Sequence, residues 1–88
     1  MNIRHTSRYK KGAKRVAKRG KQQIKLLQVV QAILSNALNE SHKDHALKGN
    51  WAGHRECHIE GDWILVYRWE ENLLILVDTG SHADVFGM

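Results

Sequence analysis

The apolar residues of this chain change period once, from helical spacing in the first half to strand spacing in the second. Tyr9, Ala13, Val16 and Ala17 recur three and four apart, with Lys10, Lys11, Lys14, Arg15, Lys18 and Arg19 filling the positions between. Ser7 is placed to cap this helix with its hydroxyl, and Gly20 to stop it, because glycine enters the left-handed conformation without a Cβ penalty. Residues 21–38 repeat the pattern with a wider stripe of Leu26, Leu27, Val30, Ile33, Leu34, Ala37 and Leu38. This second segment is the main core helix, and the pair predicts a helical hairpin. Ahead of it, Ile3 stands alone among polar residues, enough for a short N-terminal edge strand.

Residues 39–45 are polar and without period, a loop. Residues 46–53 form a connector with two glycines, anchored by Leu47 and Trp51. From His54 onward the period is two. One strand covers Arg55 to Ile59, turning at Glu60-Gly61, and a second runs from Trp63 to Trp69. The second is apolar on both faces, as a central strand covered by helices must be. Glu70-Glu71-Asn72 reads as a hairpin turn and residues 73–77 as another buried strand. Asp78 to Ser81 reads as a break. Residues 82–86, if extended, place His82, Asp84 and Phe86 on one face. Helices followed by strands predict an α+β fold, one domain over residues 1–88, with the hairpin packed on a small antiparallel sheet.

Charge adds a direction to this outline. Residues 1–39 carry ten Lys or Arg and no Asp or Glu, whereas residues 40–88 carry four basic and nine acidic side chains. A half with a net charge of +10 predicts a polyanionic partner, nucleic acid ahead of an anionic membrane, and equally suits an acidic protein. A single cysteine excludes an internal disulfide and fits a reducing compartment. No apolar run approaches the roughly 18 residues of a membrane span, so the expectation is a cytoplasmic protein.

Five of the six histidines lie between His42 and His82. Imidazole is the side chain that both donates and accepts protons near neutral pH. On a strand, His54, Glu56 and His58 share one face, and a carboxylate between two imidazoles builds a site better than a core. Metal binding is the competing chemistry, through His42-x2-His45, His54-x3-His58 and Cys57. Strand spacing puts His54 and His58 about 13 Å apart, too far to share an ion. The expectation is therefore no metal and no cofactor. Cys57 points away from Glu56 and His58 and reads as a buried, inert thiol. Trp63 and Trp69 read as packing.

Three stretches, taken in order, resemble the YafQ toxins of the RelE/ParE toxin superfamily. They are His45-Ala46-Leu47-Lys48-Gly49-x-Trp51; Arg55-Glu56-x-His58-Ile59-x-x-Asp62-Trp63-Ile64-Leu65-Val66-Tyr67; and Thr79-Gly80-Ser81-His82-x-x-x-Phe86. The match spans nearly all of residues 43–87, while the basic hairpin agrees in length and character only. The resemblance implies the RelE-like fold and a toxin of a type II toxin–antitoxin system. It implies an endoribonuclease cutting mRNA in the ribosomal A site, silenced by an acidic antitoxin. The family's functional set falls on His45, His58, Asp62, His82 and Phe86, with Glu56 as an auxiliary carboxylate. The Arg, Lys and Tyr groups of the RelE branch have no counterparts here, and the gyrase-poisoning ParE branch lacks the histidines.

The chemistry of these residues agrees with that activity. RNA is cut without a metal when its own 2′-OH attacks the adjacent phosphate, which requires a base, an acid and donors for the phosphorane. His45 and His82 are assigned as the pair, His82 the acid; His58 and Asp62 position, and Phe86 stacks on a base. Lys10, Lys11, Lys14, Arg15, Lys18 and Arg19 are assigned to ribosomal RNA. A different class, a non-catalytic RNA- or DNA-binding module using the basic helices, would tolerate His82→Ala and fail when the basic residues are neutralised.

Overall fold

The structure is a computed structural model and describes residues 2–87; residues 1 and 88, the ends of the expected single-domain span, lie outside them. Strand β1 (Asn2–His5) leads into helices α1 (Ser7–Lys18) and α2 (Gln23–Leu34). Strands β2 (His45–Ala46), β3 (Arg55–Glu60), β4 (Trp63–Glu70) and β5 (Leu73–Gly80) follow, and a short helix α3 (His82–Phe86) comes last. The five strands form one sheet in the order β1-β5-β4-β3-β2.

The α+β expectation holds, with one change to the sheet. The pairs β2–β3, β3–β4 and β4–β5 are antiparallel, but β1 joins the edge parallel to β5, so the sheet is mixed. The reason is connectivity: β1 pairs with the last strand of the sheet, far along the chain, so no hairpin constrains its direction. Thr6 fixes the junction. Its N–H donates to the Leu76 carbonyl at 3.1 Å and its hydroxyl donates to the Val77 carbonyl at 2.6 Å. The same hydroxyl accepts from the Tyr9 N–H, which makes Thr6, rather than Ser7, the α1 cap.

Helix α1 ends as expected, with Gly20 at φ 85° just beyond the cap residue Arg19. Helix α2 is shorter than its apolar stripe, starting at Gln23 and stopping at Leu34. Asn36 takes φ 52°, a left-handed conformation that asparagine tolerates, and Leu38 reaches the core from beyond the helix. The segment expected to be loop contains one 3₁₀ turn at Glu40–His42 and the short strand β2.

The sheet has two unlike faces. Tyr9 and Val16 of α1 and Leu26, Val29, Val30 and Ile33 of α2 pack on Cys57, Trp63, Leu65, Tyr67, Leu74 and Leu76. On the other face a smaller cluster joins Ile64, Val66 and Val85 to Leu47, Trp51, Val77 and Phe86. Burying each large aliphatic side chain contributes about 1.5–3 kcal/mol. Helix α1 lies so close to β5 that a Cβ on Gly12 would meet the Thr79 carbonyl oxygen at 2.3 Å. Only glycine permits that approach.

The break expected at Asp78 to Ser81 comes only at its end, after Gly80, because Asp78 and Thr79 find partners inside and continue β5. Thr79 Oγ1 accepts from Trp63 Nε1 at 2.9 Å and donates to the Ile64 carbonyl at 2.7 Å. Asp78 accepts from Arg8 at 2.8 Å and from the Thr79 N–H at 2.8 Å. Residues 82–86 are helical rather than extended. Ser81 accepts from the Asp84 N–H while Asp84 accepts from the Ser81 N–H, a reciprocal cap that starts α3.

Candidate active site

The open face of the sheet gathers the polar residues. Alternation on β3 turns Glu56 and His58 to this face and Cys57 to the helices, and β2 sets His45 opposite Glu56. The β3–β4 turn carries Asp62. Gly80, at φ 151°, ends β5 where a Cβ would meet the Asp84 side chain at 2.9 Å, so glycine is required for α3 to fold back over the strands. Within α3 His82 and Phe86 are four residues apart and share one side, whereas Asp84 points elsewhere. The helical conformation therefore separates a trio that an extended strand would have aligned.

Glu56 is at the centre and is 4% exposed. Its Oε1 lies 2.6 Å from His82 Nε2 and 3.5 Å from His58 Nε2, and its Oε2 lies 3.5 Å from His45 Nε2. The other ring nitrogen of His82, Nδ1, lies 2.5 Å from Asp62 Oδ1, which also accepts from the His82 backbone N–H at 3.1 Å. A neutral imidazole has one N–H. Two carboxylates on its two nitrogens are both satisfied only by the imidazolium, which donates from each. The hydrogen bond to Asp62 first, then the one to Glu56, accordingly raises the His82 pKa above 6.5 against the opposing effect of burial. The same contact lowers Asp62.

All five expected site residues meet here, together with Glu56. His45 is half exposed on β2, its Nδ1 held 2.8 Å from the Lys43 carbonyl. His58 is inward on β3, its Nδ1 3.4 Å from the Gly61 carbonyl. Phe86 stands with its ring centroid 6.0 Å from that of His82 and edge-on to Trp51 at 5.3 Å. Trp51, expected merely to pack on the surface, is thus a wall of the site. His54 lies before β3 against Trp51, its Nδ1 3.2 Å from that residue's carbonyl, and does not reach Glu56.

Glu56, His58 and His82 offer one donor atom each within 4.8 Å of one another, a spacing a transition metal would also accept. Of these atoms His82 Nε2 and Glu56 Oε1 are hydrogen-bonded to each other at 2.6 Å, while His58 Nε2 stands 3.5 Å from the same oxygen. Across the sheet, burial pushes the Cys57 thiol up to about 12, an inert group. Burial also raises Tyr67, whose hydroxyl donates to Asp44 at 2.5 Å beside a two-pronged Arg55–Asp44 pair.

The basic residues of α1 divide by type. Lys10, Lys11, Lys14 and Lys18 are exposed, and among the described residues none has a carboxylate within 4.0 Å. Arg8 pairs with Asp78 and donates to the Val85 carbonyl, its guanidinium 5.1 Å from the centre of the Trp51 ring. Arg15 donates to the Thr79 carbonyl at 3.3 Å and lies 3.6 Å from Asp84. Arg19 grips Asp84 with both prongs, at 2.5 and 3.1 Å, and holds that carboxyl far below the usual range. Charge alone does not separate these three arginines from the lysines. The signal that separates them is a stripe: Arg8, Gly12, Arg15 and Arg19 lie along one side of the helix, with the glycine marking the packed side.

Known proteins are similar to this chain in sequence and fold. Residues 1–87 match the family model described as the bacterial toxin of type II toxin–antitoxin system, YafQ. The mRNA interferase toxin YafQ of Escherichia coli (strain K12) is 39% identical over 88 residues, covering 98% of this chain and 96% of that protein. The crystal structure of YafQ from E. coli strain BL21(DE3) superposes with a TM-score of 0.91 at 35% identity, over 98% of both chains. YafQ in the E. coli DinJ-YafQ toxin–antitoxin complex gives 0.88 at 39% identity, over 98% of this chain and 97% of that one. The chain belongs to the YafQ family of bacterial type II toxin–antitoxin toxins.

Proposed function

We propose that this chain is an mRNA interferase that cuts mRNA in the ribosomal A site by metal-independent acid–base catalysis. The single observation that supports it most is His82 bonded through both ring nitrogens, to Asp62 at 2.5 Å and Glu56 at 2.6 Å. An imidazolium held in this way is a proton donor in a fixed orientation. In the reaction the RNA 2′-oxygen forms a bond to the adjacent phosphorus, and the P–O5′ bond breaks. The products are a 2′,3′-cyclic phosphate and a free 5′-hydroxyl. His45 accepts the 2′-OH proton and His82 delivers a proton to the departing 5′-oxygen, so protons balance. His58 and Asp62 orient and polarise, Glu56 stabilises the His82 imidazolium from a desolvated position, and Phe86 stacks on a base.

Lys10, Lys11, Lys14 and Lys18 supply the attraction to ribosomal RNA, and such attraction weakens steeply with salt. The related E. coli toxin is seen in complex with DinJ, and we assign this chain an acidic antitoxin of its own that meets the basic helices. Purified chain, ribosomes and a defined mRNA test the proposal. Cuts should need ribosomes and survive a zinc-selective chelator that leaves ribosomal magnesium in place. Equal cutting of free RNA would remove the ribosomal step, and loss of cutting with the chelator, restored by zinc, would replace the acid–base mechanism.

A further inference from the structure

Arginine and lysine do different work on α1. The stripe Arg8, Gly12, Arg15 and Arg19 faces β5 and α3, and each of its arginines reaches a carboxylate there: Asp78 for Arg8, Asp84 for Arg15 and Arg19. The planar fork of arginine matches a carboxylate with two parallel bonds, which lysine cannot do. Helix α3 needs such a tether. It is a single turn and a half, buried only through Val85, and joined to β5 at a glycine. Its one carboxylate, Asp84, accepts from the Ser81 N–H and from Arg19 on Oδ2, and from Arg19 again on Oδ1.

We infer that Arg19 is a positioning residue, whose two-pronged hold on Asp84 sets where α3 presents His82 and Phe86. The ion pair acts through the helix, at the residue that lies between His82 and Phe86. Arg8 supports the same helix from its other end, at the Val85 carbonyl, and braces Trp51 behind Phe86. This inference rests on the ribonuclease reading for its kinetic test but not for its structural one.

The experiment is a double-mutant cycle of Arg19→Gln and Asp84→Asn, with Lys14→Gln as the comparison and Arg19→Lys as the charge-conserving variant. Asparagine keeps the cap acceptor, so α3 itself should persist. Each single change should lower kcat roughly tenfold with KM little altered, and the double should be no worse than either, because both remove one link. Arg19→Lys should retain ribosome binding yet recover only part of kcat. Lys14→Gln should instead weaken ribosome binding and raise KM without moving the ring contacts. Proton NMR contacts between the Trp51 and Phe86 rings should loosen in Arg19→Gln and Asp84→Asn alike. The inference is overturned if Arg19→Gln raises KM at constant kcat while Asp84→Asn is silent, which marks direct RNA binding by Arg19. It is equally overturned if the two effects multiply. Should the wild type cut nothing, the ribonuclease reading fails, and the ring contacts alone decide the tether: unchanged contacts in both variants overturn it.

Discussion

The two faces of the sheet are made from the same strands and treat polar groups oppositely. On the helix side Cys57, Leu65 and Leu76 are sealed, and the thiol there is driven to about 12 by burial. On the other side Glu56 is almost as buried at 4%, yet three imidazoles surround its carboxylate. Depth alone does not distinguish core from site; what distinguishes them is whether the buried group has partners that carry protons. A desolvated carboxylate without a cation would cost several kcal/mol, and Glu56 has His82 hydrogen-bonded to it at 2.6 Å. The His82 pKa is raised above 6.5 first by Asp62, which grips the ring from the far side, and then by Glu56.

Substitutions at the two faces should have opposite effects. On the open face, His82→Ala should lower cleavage about 10²- to 10⁴-fold, the contribution of one acid–base group, while thermal unfolding moves little. On the sealed face, Leu65→Ala should do the reverse, costing about 2–5 kcal/mol in denaturant unfolding with kcat preserved in the folded fraction. Gly12→Ala tests the packing of α1 on β5. A Cβ 2.3 Å from the Thr79 carbonyl must push the helix away, at about 1–3 kcal/mol in the same assay. The smallest effect belongs to the solvent-facing lysines. Removing Lys14 or Lys18 should flatten the salt dependence of ribosome binding by roughly 0.7–0.9 in log–log slope for each phosphate no longer neutralised, without altering kcat.

Much of the sealed face was legible in the chain, because hydrophobic period reports burial directly. Strands β3, β4 and the start of β5 followed from alternation, and both helices from their stripes. The end of the chain was not legible in that way. Asp78 and Thr79 look like a break by composition, yet β5 continues through them because Arg8, Trp63 and the Ile64 carbonyl satisfy them from elsewhere. Residues 82–86 are too few for a helical period to show, and their helix depends on the Ser81–Asp84 cap, a local signal that alternation masks. Alternation alone put Glu56 and His58 on one face, with His54, which the structure leaves outside; the other members of the site came only through the resemblance to the YafQ family. The central place of Glu56 and the wall made by Trp51 required the sheet register and the fold of α3.

The most direct test of His82 as the acid is the pH dependence of ribosome-dependent cleavage for the wild type and Asp62→Asn. An acid works while protonated, so the rate should fall as pH rises through the His82 pKa. Asp62 raises that value above the ordinary 6.5, and the wild-type alkaline limb should lie correspondingly high. Replacing the carboxylate by a neutral amide removes the largest cause of the shift, and the limb should move to lower pH. An alkaline limb that stays in place in Asp62→Asn would contradict His82 as the proton donor held between two carboxylates.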